Sequence, residues 1–215
     1  MAGQSAIRFW LENGGFTAWI IVFAFVVLLV TGFERLNFLF MKFSFNAEDA
    51  LESIRQAVLA REYTKAIQIC NAHPNAPDLV VVKSGLLAME HGREAMKSSL
   101  GGAVLEVQRA CDKRVPLLAL IAGVSTLLGL LGTISGLIKT FAALAVADAS
   151  QKAMMLGNGI SEAMYSTAAG LALGIFAMVI YTLATSKGED IVGQAQGSGY
   201  KLVTWVEESE RAANA

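Results

Sequence analysis

The chain has 215 residues, 54% of them hydrophobic and only 16% charged, with a formal net charge of −1 and a mean hydropathy of +0.51. A soluble domain usually carries about a quarter charged residues, so the composition excludes an ordinary soluble domain. The net charge says nothing about partners, and no basic cluster points to nucleic acid, so none is expected as a partner.

The apolar residues concentrate in three stretches, 16–33, 115–146 and 159–186, while charges gather between Glu34 and Arg114 and again after Lys187. A helix needs about 20 mostly apolar residues to cross a bilayer core. The expectation is therefore an all-α integral membrane protein with three transmembrane helices. Residues 1–15 form a short tail and 16–33 the first span, "FTAWIIVFAFVVLLVTGF". The run has no small-x-small cleavage site after it, so it reads as a retained span and not as a signal peptide.

Residues 34–114 read as a cytoplasmic helical segment. Asn46 is the expected N-cap of its first helix, with Asp49 three residues later in a capping-box spacing. Ala50, Ile54, Ala57 and Val58 then recur at helical intervals. A second helix over 61–72 ends before "HPNAPD", and Asp78 is the expected cap of a third. The first two helices faintly resemble one tetratricopeptide unit, but a single unit cannot stack, so a plain helical hairpin is expected. Residues 93–114 are expected to run as a helix straight into the second span. The segment holds both cysteines, Cys70 and Cys111, neither with a CxxC partner. That argues against a disulfide framework or zinc site. Cys70 and His73 open a metal motif that nothing completes, so no metal and no cofactor is expected.

Orientation follows Lys and Arg residues beside the spans. Arg35 and Lys42 follow the first span, Arg109, Lys113 and Arg114 precede the second, and Lys187 follows the third. The connector over 147–158 holds only Lys152, and the tail only Arg8. The N-terminus is thus expected outside and the C-terminal helix over 187–215 in the cytoplasm. Trp10 and Trp19 suit the outer interface, and Phe38 and Phe40 the inner one.

The second span, 115–146, contains "LLGLLGTISGLIKTF". On a helix, alternating steps of three and four stay on one face. From Ala119 they visit Ala122, Thr126, Gly129, Thr133, Gly136 and Thr140, all small or hydroxylic. The third span repeats the design with Ala163, Thr167, Gly170, Gly174, Ala177 and Tyr181, and the first span has no such stripe. Small faces of this kind let membrane helices pack closely. That accounts for Gly129, Gly132, Gly136, Gly170 and Gly174. It accounts less well for Thr133 and Thr167, each about 14–18 Å below the outer surface at the rise of an α-helix. Antiparallel neighbours would hold these hydroxyls at one level, where they could replace part of an ion's hydration shell or hold a water chain. Glu162, one turn inside the outer interface, is the sole acid of either polar span. It is a further pore or interface candidate with Thr126, Ser166, Thr140 and Tyr181. Lys139 is expected to snorkel outward. A polar path without a midplane carboxylate needs its acid from another chain.

These residues resemble the MotA/TolQ/ExbB group of ion-channel motor subunits, closest to its ExbB and TolQ members. Gly129, Leu130, Gly132, Thr133 and Gly136 are similar to the Gly-Leu-x-Gly-Thr-x-x-Gly core of their second span. Gly159, Ile160, Glu162, Ala163, Thr167, Gly170 and Leu171 are similar to the third-span signature, with Ser166 in place of the usual alanine. "FERLNFL" after the first span also looks like theirs. One departure is Ser125 and Thr126 where the family usually has Ala-Pro. Loss of that proline should straighten the helix locally and leaves ion selectivity open.

The resemblance implies a bacterial inner-membrane channel subunit that forms a homo-oligomeric ring, commonly a pentamer. The ring would surround an ExbD- or TolR-like one-span partner dimer whose membrane aspartate carries the ion. It also implies that Thr133 and Thr167 line the path. The helical composition of 93–114, which has no proline, and of the tail past Lys187 adds the expectation that long cytoplasmic helices extend the spans. Proton flow would drive work on the envelope, such as energised outer-membrane transport. A gliding or other surface motor, a sodium-driven variant and a passive membrane scaffold are the alternatives. An enzyme is not expected: there is no GxSG or GxGD motif, and His73 and His91 both lie in the cytoplasmic segment.

Overall fold

In the computed structural model, which describes residues 15–42 and 47–213, every element of regular structure among the described residues is helical. Helix α1 spans Gly15–Asn37 and ends in a π-helical turn, Phe38–Lys42. Next come α2 (Glu48–Leu59), α3 (Tyr63–Ala72), α4 (Pro77–Ala88), a 3-10 turn (Met89–His91) and α5 (Arg93–Asp112). Two long helices complete the chain, α6 (Val115–Val146) and α7 (Lys152–Ala213). Among the described residues, three helical stretches are long and apolar enough to cross a membrane: Ala18–Met41, Arg93–Val146 and Lys152–Ala213. The expected tail with Arg8 and Trp10, and the expected cap Asn46, lie outside the described residues.

Contacts divide the chain into two units. Among the described residues, one holds α1 up to Glu34 together with Pro116–Thr182, and the other holds those between Arg35 and Val115 and those from Leu183 on. The first unit is the apolar one. Its outward side chains include Phe23, Val30 and Phe33 of α1, Leu127, Ile138 and Phe141 of α6, and Ile175 and Phe176 of α7. Such a surface suits hydrocarbon and not water. Gly32 lets α1 approach α7, since a Cβ there would sit 3.1 Å from the Ile180 side chain. The Thr31 hydroxyl donates to the Val27 carbonyl at 2.7 Å, so the threonine stays satisfied inside an apolar helix.

The second unit is a helical bundle around α4. Helices α2 and α3 form the expected hairpin, with Ile54, Ala57, Val58, Ala66 and Cys70 buried. Helix α4 is buried on most of its circumference, including Leu79, Val81, Val82, Gly85 and Leu86. Gly85 gives room for this packing, since a Cβ would meet the Leu100 side chain of α5 at 2.6 Å and that of Leu202 of α7 at 2.8 Å. Serines 84 and 99 share a hydrogen bond of 2.7 Å across α4 and α5. The C-terminal part of α7 runs through Gly193, Gly197 and Gly199 as helix to Ala213, with Leu202 and Val206 buried. Arg93 at the start of α5 pairs with Glu207 at 3.5 Å and with Glu210 near the end of α7.

Three local expectations change. Asp78 does not cap α4: Pro77, which has no N–H to lose, takes the first position, Ala76 precedes it, and Asp78 falls inside the first turn. There it is buried (8% exposed) and accepts a 2.8 Å hydrogen bond from Ser198. Helix α5 does not run on into α6. Lys113 is extended (ψ 122°) and Arg114 is left-handed (φ 64°), a conformation that costs a non-glycine residue roughly 1–2 kcal/mol. Pro116 is the local cause, since its ring would clash with the carbonyl of Asp112 in an uninterrupted helix. Finally, α7 begins at Lys152, inside the stretch read as a connector, because 153–156 is apolar and contains no breaker.

Gly92, at φ 98° and ψ 171°, occupies a region of backbone space that is essentially glycine's alone, with open space around it. Gly92→Ala should therefore lower stability by about 1–3 kcal/mol on conformational grounds alone. Gly101→Ala, in open space on α5, should instead stabilise by about 0.5–1 kcal/mol. Thermal unfolding of the two variants checks the opposite signs.

The two buried thiols should be slow to react. Burial pushes the Cys70 thiol up to about 11, against the pull of Lys83. Burial, helped by Asp112 and opposed by Arg35, does the same for Cys111, also to about 11. Thiolate is the reactive form, so a raised value lowers its population at neutral pH. Maleimide labelling of the folded protein at pH 8 should be on the order of 100-fold slower than for a free thiol from ionisation alone. It should rise toward pH 11 and be released by denaturation.

Candidate functional site

The small faces of α6 and α7 close on each other. Starting from the connector, Thr140 is buried against Gly159, where a Cβ would collide with the threonine side chain. One turn further, Gly136 faces Ala163, with a hypothetical Cβ at ordinary contact distance, 3.5 Å. Then the hydroxyls of Thr133 and Thr167 touch. Below them the backbones meet: a Cβ on Gly170 would lie 2.6 Å from the Gly129 Cα and 2.6 Å from the Ser125 carbonyl oxygen. The seam ends where Gly174 meets Thr126: a Cβ there would lie 2.9 Å from the Thr126 Oγ1 and 3.0 Å from the Ala122 carbonyl oxygen. Every step is one that only glycine, alanine, serine or threonine permits, which is why these types recur at this spacing.

Most hydroxyls in the seam are satisfied by their own helix. Ser125 donates to Ile121 at 2.6 Å, Thr126 to Ala122 at 3.4 Å, Thr140 to Gly136 at 2.8 Å and Ser166 to Glu162 at 3.4 Å. The threonine pair differs because it bonds between helices. Thr133 Oγ1 is 3.2 Å from the Gly129 carbonyl and 3.3 Å from that of Ala163, and Thr167 Oγ1 is 3.3 Å from the Gly129 carbonyl. Two hydroxyl protons serve this cluster. One bridges the two oxygens and the other reaches a carbonyl, so lone pairs remain to accept a proton donor from outside. Both threonines are half-buried.

Among the other candidates, Gly132 is buried, and its carbonyl accepts from Ser135 at 3.1 Å. Thr126 is exposed at the edge of the seam, and Tyr181 is half-buried. Glu162 is partly exposed within the field of Lys139. The structure does not bring Glu162 or Tyr181 to the threonine pair. Helix α6 runs unbroken through Ser125 and Thr126. Ser125 is 1% exposed, and its carbonyl is one of the two groups that press on Gly170. Sequence reasoning treated Ser125 only as a departure from a pattern. Its place one step of four before Gly129, on the same face, was the signal available.

Residues 73–196, more than half of the chain, match the MotA/TolQ/ExbB proton channel family. The chain belongs to this family. It is 38% identical over 91 residues to the biopolymer transport protein exbB1 of Vibrio cholerae serotype O1, covering 42% of this chain and 40% of that one. It is 29% identical over 183 residues to the ExbB-like 1 protein of Synechocystis sp., covering 81% and 68%. It is 33% identical over 151 residues to the Tol-Pal system protein TolQ of Haemophilus influenzae, covering 69% and 58%. The chain thus spans between two fifths and about two thirds of the length of these relatives. The matched residues include the whole of the seam between α6 and α7.

Proposed function

We propose that this chain is the channel-forming subunit of a proton-driven motor in the bacterial inner membrane. Copies of it form a ring, read as a pentamer, around a one-span ExbD- or TolR-like dimer that supplies a membrane aspartate. Thr133 and Thr167 provide the polar level at which that aspartate exchanges its proton. Proton flow is coupled to work on the envelope, such as energised outer-membrane transport. The observation that carries this reading is the inter-helical contact of the two hydroxyls within a member of a proton channel family. Lone pairs held at one depth of an apolar unit are what a proton relay requires. The distribution of Lys and Arg supports an outside N-terminus and a cytoplasmic C-terminus. A surface motor or a sodium-driven version would use the same site with a different load or ion.

The passive scaffold has its own support in the closeness of Gly129 and Gly170, which packing alone explains. The readings separate in reconstituted vesicles. The chain is co-expressed with a one-span partner carrying a membrane Asp, copurified, and assayed for proton uptake under an imposed gradient. The channel reading expects uptake that disappears when the partner's Asp is changed to Asn. A copurified complex with no uptake above empty vesicles would sink it.

A further inference from the structure

We propose that Arg35 holds the bend at Lys113 and Arg114, capping the end of α5 at Ala110 so that the helix stops at a fixed point. Arg35 lies in the last turn of α1, where a positive residue beside a span is ordinarily solvated. Here it is 4% exposed. Its Nη1 donates to the Ala110 carbonyl at 3.4 Å, and its guanidinium lies over the Phe38 ring, 5.2 Å from the centroid. Ala110 belongs to the last turn of α5, whose carbonyls have no partner further along the helix. A cation there also meets the negative end of the helix dipole. The planar guanidinium can stack on a ring and donate at its edge together, which a lysine cannot reproduce.

The backbone just beyond Ala110 explains why a cap is needed. With Lys113 extended and Arg114 left-handed, the helix stops and restarts within a few residues. Such a bend leaves carbonyls to be satisfied from elsewhere and holds its angle only if the surroundings fix it. Two further contacts gather at the same place. Lys187 of α7 lies over the Phe40 ring at 5.7 Å, and a Cβ on Gly188 would touch the Cys111 side chain at 3.4 Å. The residues after α1, the end of α5 and one turn of α7 therefore share a junction, with Arg35 as its buried charge. Both Phe38 and Phe40 belong to the π-helical turn over Phe38–Lys42.

The cysteines supply the test. Cys111 sits beside the capped carbonyl, while Cys70 lies in α3, and each is 2% exposed. Membrane vesicles carrying the full chain are treated with N-ethylmaleimide, and labelling at each cysteine is tracked by mass spectrometry. Arg35→Met should expose Cys111, with labelling about 10-fold faster or more, while Cys70 keeps its wild-type protection. Arg35→Gln, which keeps a donor but loses charge and reach, is read by the same criterion if the Met variant does not accumulate. Cys111 that stays protected would overturn the proposal, as would exposure of both cysteines together, which marks a general loss of fold. Failure of both variants to accumulate counts against the proposal too, since a residue that sets one bend is not required for the whole fold. A wild-type complex that conducts no protons would end the proposed function and leave the labelling result standing.

Discussion

Thr133→Val is expected to abolish partner-dependent proton uptake while leaving the complex assembled, and Thr167→Val to do the same. Valine reproduces the outline of threonine, so the seam between α6 and α7 keeps its shape. The stability at stake is small, because hydrogen bonds between membrane helices average about 0.6 kcal/mol. The hydroxyl that remains also keeps a carbonyl partner, Gly129 for Thr167 and Gly129 or Ala163 for Thr133. What is lost is one donor and acceptor of a two-oxygen relay, in a region where no bulk water replaces it. Uptake should fall at least about 10-fold, toward the background of empty vesicles. Serine at either position keeps the hydroxyl and drops a methyl, so it should retain partial activity. Ser135→Ala is the control: Ser135 bonds back to Gly132 and takes no part in the threonine pair, so uptake should change little. Copurification of the partner is measured in parallel. Conducting Val variants at both positions would return the threonines to packing and favour the scaffold. Only an assembled, silent complex supports the relay.

The seam was legible in the sequence because helix periodicity sorts small from large side chains without knowledge of any neighbour. Thr133 and Thr167 could be set at one depth by counting residues at the helical rise. The partner of each small face was not readable in this way. A stripe of Gly and Thr fits a water-filled lining as well as a neighbouring helix, and only the structure has the two stripes closing on each other. The bend at Lys113 and Arg114 was missed for a different reason. Hydrophobic pattern and charge both continue across it, and Pro116 stands in the first turn of α6, where proline is compatible with helix. Its clash with the Asp112 carbonyl acts backward along the chain and ends α5. Arg35 was read through the rule that places cations in water beside a span, a rule about averages. Its burial depends on a helix end supplied from 75 positions further along the chain. Asp78 likewise took its role from Ser198, 120 positions away.

Among Gly170, Gly129 and Gly136, the exchange Gly170→Ala should be the most damaging. In an exposed helix the exchange would help, since alanine is better than glycine by about 1 kcal/mol. Here the added Cβ would stand 2.6 Å from the Gly129 Cα and 2.6 Å from the Ser125 carbonyl oxygen, and both are backbone. No rotamer change relieves a clash with backbone, so the helices must separate. Forcing extra methylenes into a packed interior costs typically 1–3 kcal/mol, and parting α6 from α7 would also pull Thr133 away from Thr167. Gly170→Ala should therefore lower the melting temperature of the purified complex and suppress proton uptake. The neighbouring glycines set the scale. At Gly129 the added Cβ would meet the Gly170 Cα at 3.1 Å, a tighter fit than usual but a smaller intrusion. At Gly136 it would meet Ala163 at 3.5 Å, which is ordinary contact. Damage should fall in the order Gly170, Gly129, Gly136, with Gly136→Ala near wild type. Helix propensity alone predicts the same small gain at all three sites, so the graded loss isolates backbone approach as its cause. A Gly170→Ala complex as stable as Gly136→Ala would mean that the helices do not meet at this level. The contact between the two threonines would then lose its structural basis, because the close approach of Gly129 and Gly170 is what brings their hydroxyls within reach.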